Sequence, residues 1–268
     1  MNDGKKPESN IVYLDGLSEK ERWFAYFYEN TSTMKNLLGI KDRETLYMVE
    51  KHFSRAKAAN IHKVKFEGDF DLERAKAIHK YYFDDMYSWA GEIRQVNMFK
   101  VGGEKNSFAN YQDIEPKFKE LSDKIKGVDN LGKFKENPEL MAMALCEVYL
   151  SINHIHAFRE GNGRTQNEFV RQLAEHNGYK LDLTASMEKI DKLEYYSWFQ
   201  HYDKTGDKSL VLEKLFKANL EKLQVNKIDE KQLIAQQFKT ANQSAKNKIA
   251  KQTASLSQSQ SEYKGIKK

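Results

Sequence analysis

His156-Ala157-Phe158-Arg159-Glu160-Gly161-Asn162-Gly163-Arg164 sets an imidazole, a carboxylate, two glycines, an amide and a guanidinium side by side. The residues that follow, Thr165 to Asn177, read as a helix closed by Asn177-Gly178. A glycine-bracketed turn running into a helix N-terminus is an anion site. Its N–H groups have no helical partner, and the helix dipole favours negative charge. Glu160 can hold a hard divalent cation against that anion. His156, of a residue type with pKa near ~6.5, can take a proton from a hydroxyl. These are the parts of a phosphate-transfer site.

Outward from this stretch, apolar spacing predicts helices at Leu17 to Tyr28, Arg43 to Ala59, Leu72 to Tyr87, Ile114 to Lys126 and Pro138 to Asn153. Ser18 and Glu21 stand at capping-box spacing, and Asp71 is a good N-cap. Pro138 suits a first helical turn. Gln95 to Phe99 reads as a short strand, turned by Gly102-Gly103 and returned as a hairpin at Ser107 to Ala109. Further helices are expected at Ser186 to Asp203 and Ser209 to Leu223. Beyond Gln224 the chain turns polar, and Gln252 to Gln260 is a Ser/Gln-rich stretch expected to be disordered. The sum is an all-α domain with one small hairpin.

The chain of 268 residues carries a net charge of +5, and nine Lys against three acidic residues in Asn226 to Lys268 account for more than all of it. The body is therefore not basic, and nucleic-acid binding would rest on the tail alone. The apolar run Leu140 to Ile152 contains Glu147 and is too short to span a bilayer. Met1 to Lys6 lacks an apolar segment, so no secretory signal is expected. The lone Cys146 excludes an internal disulfide, fits a cytoplasmic, reducing setting and reads as core. His154-x-His156 lacks a third ligand at zinc-site spacing.

The stretch from His156 resembles the signature of the Fic family, H-x-F-x-[D/E]-G-N-G-R-x-x-R. It matches at His156, Phe158, Glu160, Gly161, Asn162, Gly163 and Arg164 and departs at the final Arg, which is Asn167 here; Ala157 replaces the usual Pro. Tyr26…Asn30-Thr31…Lys35-Asn36 through Asp42 looks like the opening of Fic domains in secreted bacterial effectors. Phe70-Asp71-Leu72…Ala77-Ile78-His79 and Tyr87-x-Trp89-Ala90-Gly91-Glu92-Ile93-Arg94 are similar to the family segment before a β-hairpin called the flap. The resemblance spans roughly Tyr26 to Leu220. It implies a Fic fold over residues 1–222, a helical bundle with the flap over the active-site loop, followed by a basic, polar tail over 223–268.

Transfer of AMP from ATP onto a hydroxyl side chain of a target protein is what the resemblance implies. His156 is then the general base and Glu160 holds Mg²⁺. Phe158, Gly161, Asn162, Gly163 and Arg164 form the nucleotide and phosphate site, with Asn162 at the α-phosphate and Arg164 at the β-phosphate. Phe158 itself reads more as an anchor beneath the loop. Lys100 and Phe108 resemble flap residues that position the target. The missing final Arg is associated in the family with the γ-phosphate and with an inhibitory glutamate in [S/T]-x-x-x-E-[G/N]. No strict match to that pattern is present: Ser209-x-x-x-Glu213 is followed by Lys214, and Glu29-Asn30 has Ala25 at the Ser/Thr position. Arg171, one turn on from Asn167, is a candidate to reach a phosphate in its place.

Three functions stay open at this point. The first is the AMP transferase. The second is a Fic scaffold that binds nucleotide or partner with weak or no transfer, because of Asn167. The third is a Fic enzyme moving another phosphate-containing group, against which the intact Gly163 weighs. An antitoxin-like inhibitor in trans is a candidate partner. The basic tail reads as a solubilising extension, a basic patch, or a type IV secretion address.

Overall fold

The computed structural model describes residues 9–99, 108–183 and 190–223. The chain divides into Met1–Leu223 and Gln224–Lys268, and all described residues belong to the first unit. Helices α1 (Glu19–Ala25), α2 (Arg43–Asn60), α3 (Leu72–Phe83), α4 (Ile114–Gly127), α5 (Pro138–Ile155) and α6 (Asn162–His176) lead to strand β1 (Tyr179–Leu181). Then come α7 (Lys192–Thr205), a short α8 (Ser209–Val211) that widens into π winding over Leu212–Lys217, and β2 (Leu220–Lys222).

The helix that leads into the site is strongly apolar. α5 is apolar on nearly every side, from Met141 and Leu145 to Tyr149, Ile152 and Ile155, as expected of a helix at the centre of a bundle. It starts at Pro138, with Asn137 as N-cap accepting from the N–H groups of Glu139 and Leu140 at 3.0 and 3.1 Å. It packs against α4, α6 and the π-wound segment. α6 in turn packs on α3, bringing Phe169 edge-on to Phe70 and Phe118.

Caps decide where the outer helices begin. Ser18 and Glu21 form both bonds of a capping box, and Asp42, Asp71 and Asp191 each accept from a first-turn N–H. α1 is shorter than its apolar pattern. It ends at Ala25 because the next residues turn back, with Phe27 bridging Met34 and the Tyr28 N–H donating to the Thr33 carbonyl at 3.0 Å. α3 likewise stops at Phe83 rather than Tyr87, where the chain turns so that the Met86 carbonyl accepts from Leu37 N–H at 2.8 Å.

The strands differ from expectation in place. Residues 95–99 are not part of a ladder: the Asn97 N–H donates to a Glu19 carboxylate at 2.9 Å. Ala109 docks instead on α5, its N–H donating to the His154 carbonyl at 2.8 Å. Residues 100–107, which hold Lys100, Gly102-Gly103 and Ser107, lie outside the described residues, as do 184–189 and 224–268. The strand pair among the described residues is β1 with β2, antiparallel, Tyr179 opposite Lys222 and Leu181 opposite Leu220. The helix expected to run to Leu223 therefore ends early. Gly178, at φ +78°, turns the chain out of α6 into β1, and its carbonyl accepts from Leu223 N–H at 2.8 Å.

Arg94 joins these parts. Its side chain is 1% exposed. It donates to the carbonyls of His156 (2.7 Å), Val96 (2.6 Å), Ala109 (2.6 Å) and Ile155 (3.3 Å), while its own backbone N–H donates to Ala157 at 2.9 Å. A cation on the last carbonyls of α5 also meets the negative end of the helix dipole. Burial lowers its pKa to about 10, still well above neutral pH. Replacing Arg94 by Met leaves buried carbonyls without donors, at about 1–3 kcal/mol each where water cannot reach. The expected outcome is a loss of at least ~3 kcal/mol in urea unfolding at unchanged m-value. Arg94→Lys should recover little of it, because one ammonium cannot reproduce the planar fork.

Candidate active site

α5 ends on a strained residue. His156 takes φ +48° and ψ +59°, and its N–H closes the helix on the Ile152 carbonyl at 2.9 Å. A β-branched or bulky residue resists that conformation, and here the Arg94 bond to the His156 carbonyl helps hold it. The imidazole stacks on Phe108, centroids 3.7 Å apart and planes 18° apart. Two of the residues singled out by sequence thus meet. The ring's Nδ1 is buried.

The loop beyond is fixed from beneath. Phe158 is 2% exposed and lies parallel to the His79 ring, centroids 4.0 Å apart at 11°. The Asn162 side chain bonds the same residue twice, accepting from Phe158 N–H at 2.9 Å and donating to its carbonyl at 2.6 Å. Phe158 is therefore a pillar rather than a phosphate contact. The backbone N–H of Asn162, at the first position of the uncapped α6, has no helical acceptor to donate to. His79 is fully buried, and its Nδ1 accepts from Gly91 N–H at 2.8 Å. Its Nε2 must then carry the proton, which it donates to the Glu160 carbonyl at 3.0 Å. Burial lowers the His79 pKa to about 4, so the ring is neutral.

Arg159, at a variable place in the stretch, is 5% exposed and sits in an aromatic box. Its guanidinium carbon lies 4.4 Å from the Trp23 ring, 5.4 Å from Tyr26 and 5.1 Å from Phe27.

Gly161 is the N-cap of α6, so this helix starts three residues before the expected Thr165 and takes Asn162, Gly163 and Arg164 into its first turn. Gly161 has φ +78°, and a Cβ there would stand 2.2 Å from the Phe83 ring. No side chain caps α6. At Gly163 a Cβ would meet nothing within 4 Å, so the face of the turn at that residue is bare backbone. That is the arrangement that receives an anion.

Charged groups flank the turn. Glu160 accepts from Gly161 N–H at 3.0 Å and is 45% exposed, with Arg164 at 3.6 Å. An exposed carboxylate beside an uncapped helix start fits Mg²⁺, which takes one or two carboxylates plus waters and substrate oxygens. Arg164 donates to Ser54 and to Glu50, each at 2.6 Å. Asn167 is 9% exposed. Arg171, one turn on, is bonded twice to Glu168, at 2.7 Å each, and to Glu175 at 3.0 Å. Among the described residues no group of three His, Cys, Asp or Glu clusters as a metal site.

Sequence reading passed over His79, Arg94, Glu50 and the box around Arg159. His79 and Arg94 lie in segments already singled out for resemblance, a usable signal. Nothing in the sequence marks Glu50, 114 residues before its partner.

The pattern of the Fic/DOC family matches residues 69–174. The protein adenylyltransferase VbhT of Bartonella schoenbuchensis is 32% identical over 204 residues, covering 75% of this chain. The chain spans 40% of that relative's length. The probable protein adenylyltransferase y4lH of Sinorhizobium fredii is 34% identical over 157 residues, 58% of this chain and 77% of that protein. Among solved structures, the N-terminal Fic domain of a Bartonella quintana effector with bound ADP superposes with TM-score 0.67 at 27% identity, covering 74% of this chain and 95% of that one. BepC of Bartonella tribocorum with bound AMPPNP gives 0.64 at 25% identity, covering 74% and 97%.

Two measurements test this geometry. Gly161→Ala should cost about 2–4 kcal/mol, from left-handed strain and the push against Phe83. Phe83→Leu in the same chain should recover part of the loss in thermal unfolding. His79 gives a pH signature. Above the ordinary value of 6.5 both folded and unfolded rings are neutral. As pH falls from 6.5 towards 4 the unfolded ring takes a proton that the folded one refuses, so stability drops by up to ~3 kcal/mol. The loss lies in that window, and His79→Gln should flatten it when urea midpoints of the two proteins are compared across pH.

Proposed function

Because this chain belongs to the Fic/DOC family, we propose that it is a protein adenylyltransferase, moving AMP from ATP to a hydroxyl side chain of a target protein. The observation that carries this reading is the joining of two elements by five residues: α5 ends on His156, and the uncapped α6 begins at Asn162. A base and an anion seat held by two packed helices are the two things phosphoryl-group transfer needs positioned. The relatives named protein adenylyltransferase, and neighbours solved with ADP or AMPPNP, support the same chemistry.

In this mechanism the backbone N–H groups of the α6 first turn bind the α-phosphate, with Gly163 leaving them uncovered. Arg164 meets the β-phosphate with a delocalised positive charge. His156 takes the proton of the target hydroxyl on Nε2. The freed oxygen attacks the α-phosphorus, and the bond to the bridging oxygen breaks, releasing pyrophosphate. Mg²⁺ held by Glu160 would neutralise phosphate oxygens and so favour the leaving group. Phe108, stacked on His156, and Lys100 are assigned to positioning the target segment.

The domain carrying this activity is proposed to span residues 1–222, with 223–268 as an appendage. No helix among the described residues is long and apolar enough to cross a membrane. A cytoplasmic location is proposed, and solved neighbours described as VirB-translocated effectors support secretion as a second fate of this chain. An antitoxin-like inhibitor in trans remains part of the proposal. A second reading, nucleotide binding without transfer, draws on Asn167 and on the engagement of Arg171 by Glu168.

Incubation with α-labelled ATP and Mg²⁺ separates the two. Label should appear on this protein or on a lysate protein. His156→Ala should reduce transfer by ~10²–10⁴-fold while leaving nucleotide affinity within about twofold, because the base makes no phosphate contact. Full transfer by that variant would overturn the assignment. Nucleotide binding with no label in the parent protein would establish the scaffold reading instead.

A further inference from the structure

Arg164 is held on three sides by residues that no motif marks. Its Nη1 donates to the Ser54 hydroxyl and its Nη2 to Glu50, each at 2.6 Å, and the Phe83 ring lies 4.4 Å from its guanidinium carbon. Glu50 and Ser54 are four residues apart on α2, so one face of that helix presents both. Glu50 is anchored in turn: its side chain is 12% exposed, and its other oxygen accepts from the Tyr87 hydroxyl. Tyr87 itself is buried at the end of the α3 turn. Arg164 keeps 31% of its side chain open, with Glu160 as its charged neighbour at 3.6 Å.

We propose that Glu50 is a positioning residue that holds Arg164 ready for the polyphosphate of the nucleotide. The proposal rests on the reading of Arg164 as a phosphate ligand given above. A free arginine loses much rotamer freedom when it binds a phosphate, and here that ordering precedes the ligand. A guanidinium has five N–H groups, so the contacts with Ser54 and Glu50 leave donors for an anion. The Tyr87 bond keeps Glu50 in place, so the carboxylate orients Arg164 from behind rather than following it. Glu50 acts on nothing in the substrate directly.

Calorimetric titration of ATP and of AMP, each with Mg²⁺, into the full chain tests this. Glu50→Gln should weaken ATP about tenfold and leave AMP within about twofold, because AMP lacks the phosphate that Arg164 meets. Ser54→Ala should weaken ATP less, about threefold. The double variant Glu50→Gln/Arg164→Ala should bind ATP no more weakly than Arg164→Ala alone, since Glu50 works only through that side chain. ATP affinity equal to or tighter than the parent's in Glu50→Gln would overturn the proposal, the tighter case making Glu50 a competitor for Arg164. A parallel fall in ATP and AMP would overturn it as well, as a general structural role. Unchanged ATP affinity in Arg164→Ala would instead overturn the reading of Arg164 beneath it. If Glu50→Gln does not fold, Ser54→Ala at parental melting temperature carries the test, and unchanged ATP affinity there overturns the proposal.

Discussion

The guanidinium of Arg94, buried where α5 ends, gathers the carbonyls of Val96, Ala109, Ile155 and His156 from three separate stretches of chain. Three of those bonds are buried and the one to His156 is partly so, and a single planar fork supplies all four. The left-handed turn at His156 follows from this, since the chain can leave the helix there without stranding its last carbonyls. The course of residues 94–97 and the docking of Ala109 follow as well. A catalytic ring at the end of a buried helix is only as well placed as the residue after the helix, and Arg94 fixes that residue.

Beneath the loop a second constraint acts through shape. Gly161 lies so close to Phe83 that no side chain fits, and that closeness lets α6 begin at Asn162. Three residues of the motif thereby enter a helical first turn, where their N–H groups converge. Neutral His79 and buried Phe158 fill the space below. The loop is thus built from a stacked ring pair, a two-way amide bond and a glycine contact, with Glu160 and Arg164 left towards solvent.

What could be read in advance divides along a physical line. Ser18-Glu21, Asp71, Pro138 and Asn177-Gly178 act within a turn of themselves, so the helices they bound were legible. The motif was legible for the same reason, its residues being consecutive, and the resemblance it carried supplied the fold. α6 begins three residues before its apolar pattern does, because Gly161 starts it in close contact with Phe83, which is distant in sequence. Apolar spacing carries the last helix on through β2, because the pairing of β2 with β1 is non-local. Glu50 finds its partner Arg164 more than a hundred residues away, and Arg94 finds three of its four carbonyls beyond its own turn, contacts that no local pattern announces. Arg171, one turn on from Asn167, pairs with Glu168 and Glu175, partners at helical spacing of its own.

Arg159 occupies a place in the motif where the family signature fixes no residue, yet its cation is enclosed by Trp23, Tyr26 and Phe27 of α1 and its end. The consequence is one of inheritance. A motif loop moved into another member of the family by itself would bring a charge that expects an aromatic box, and a receiving α1 without that box would leave it buried among unsuited neighbours. The loop and the first helix, separated by more than a hundred residues of sequence, therefore have to be exchanged together.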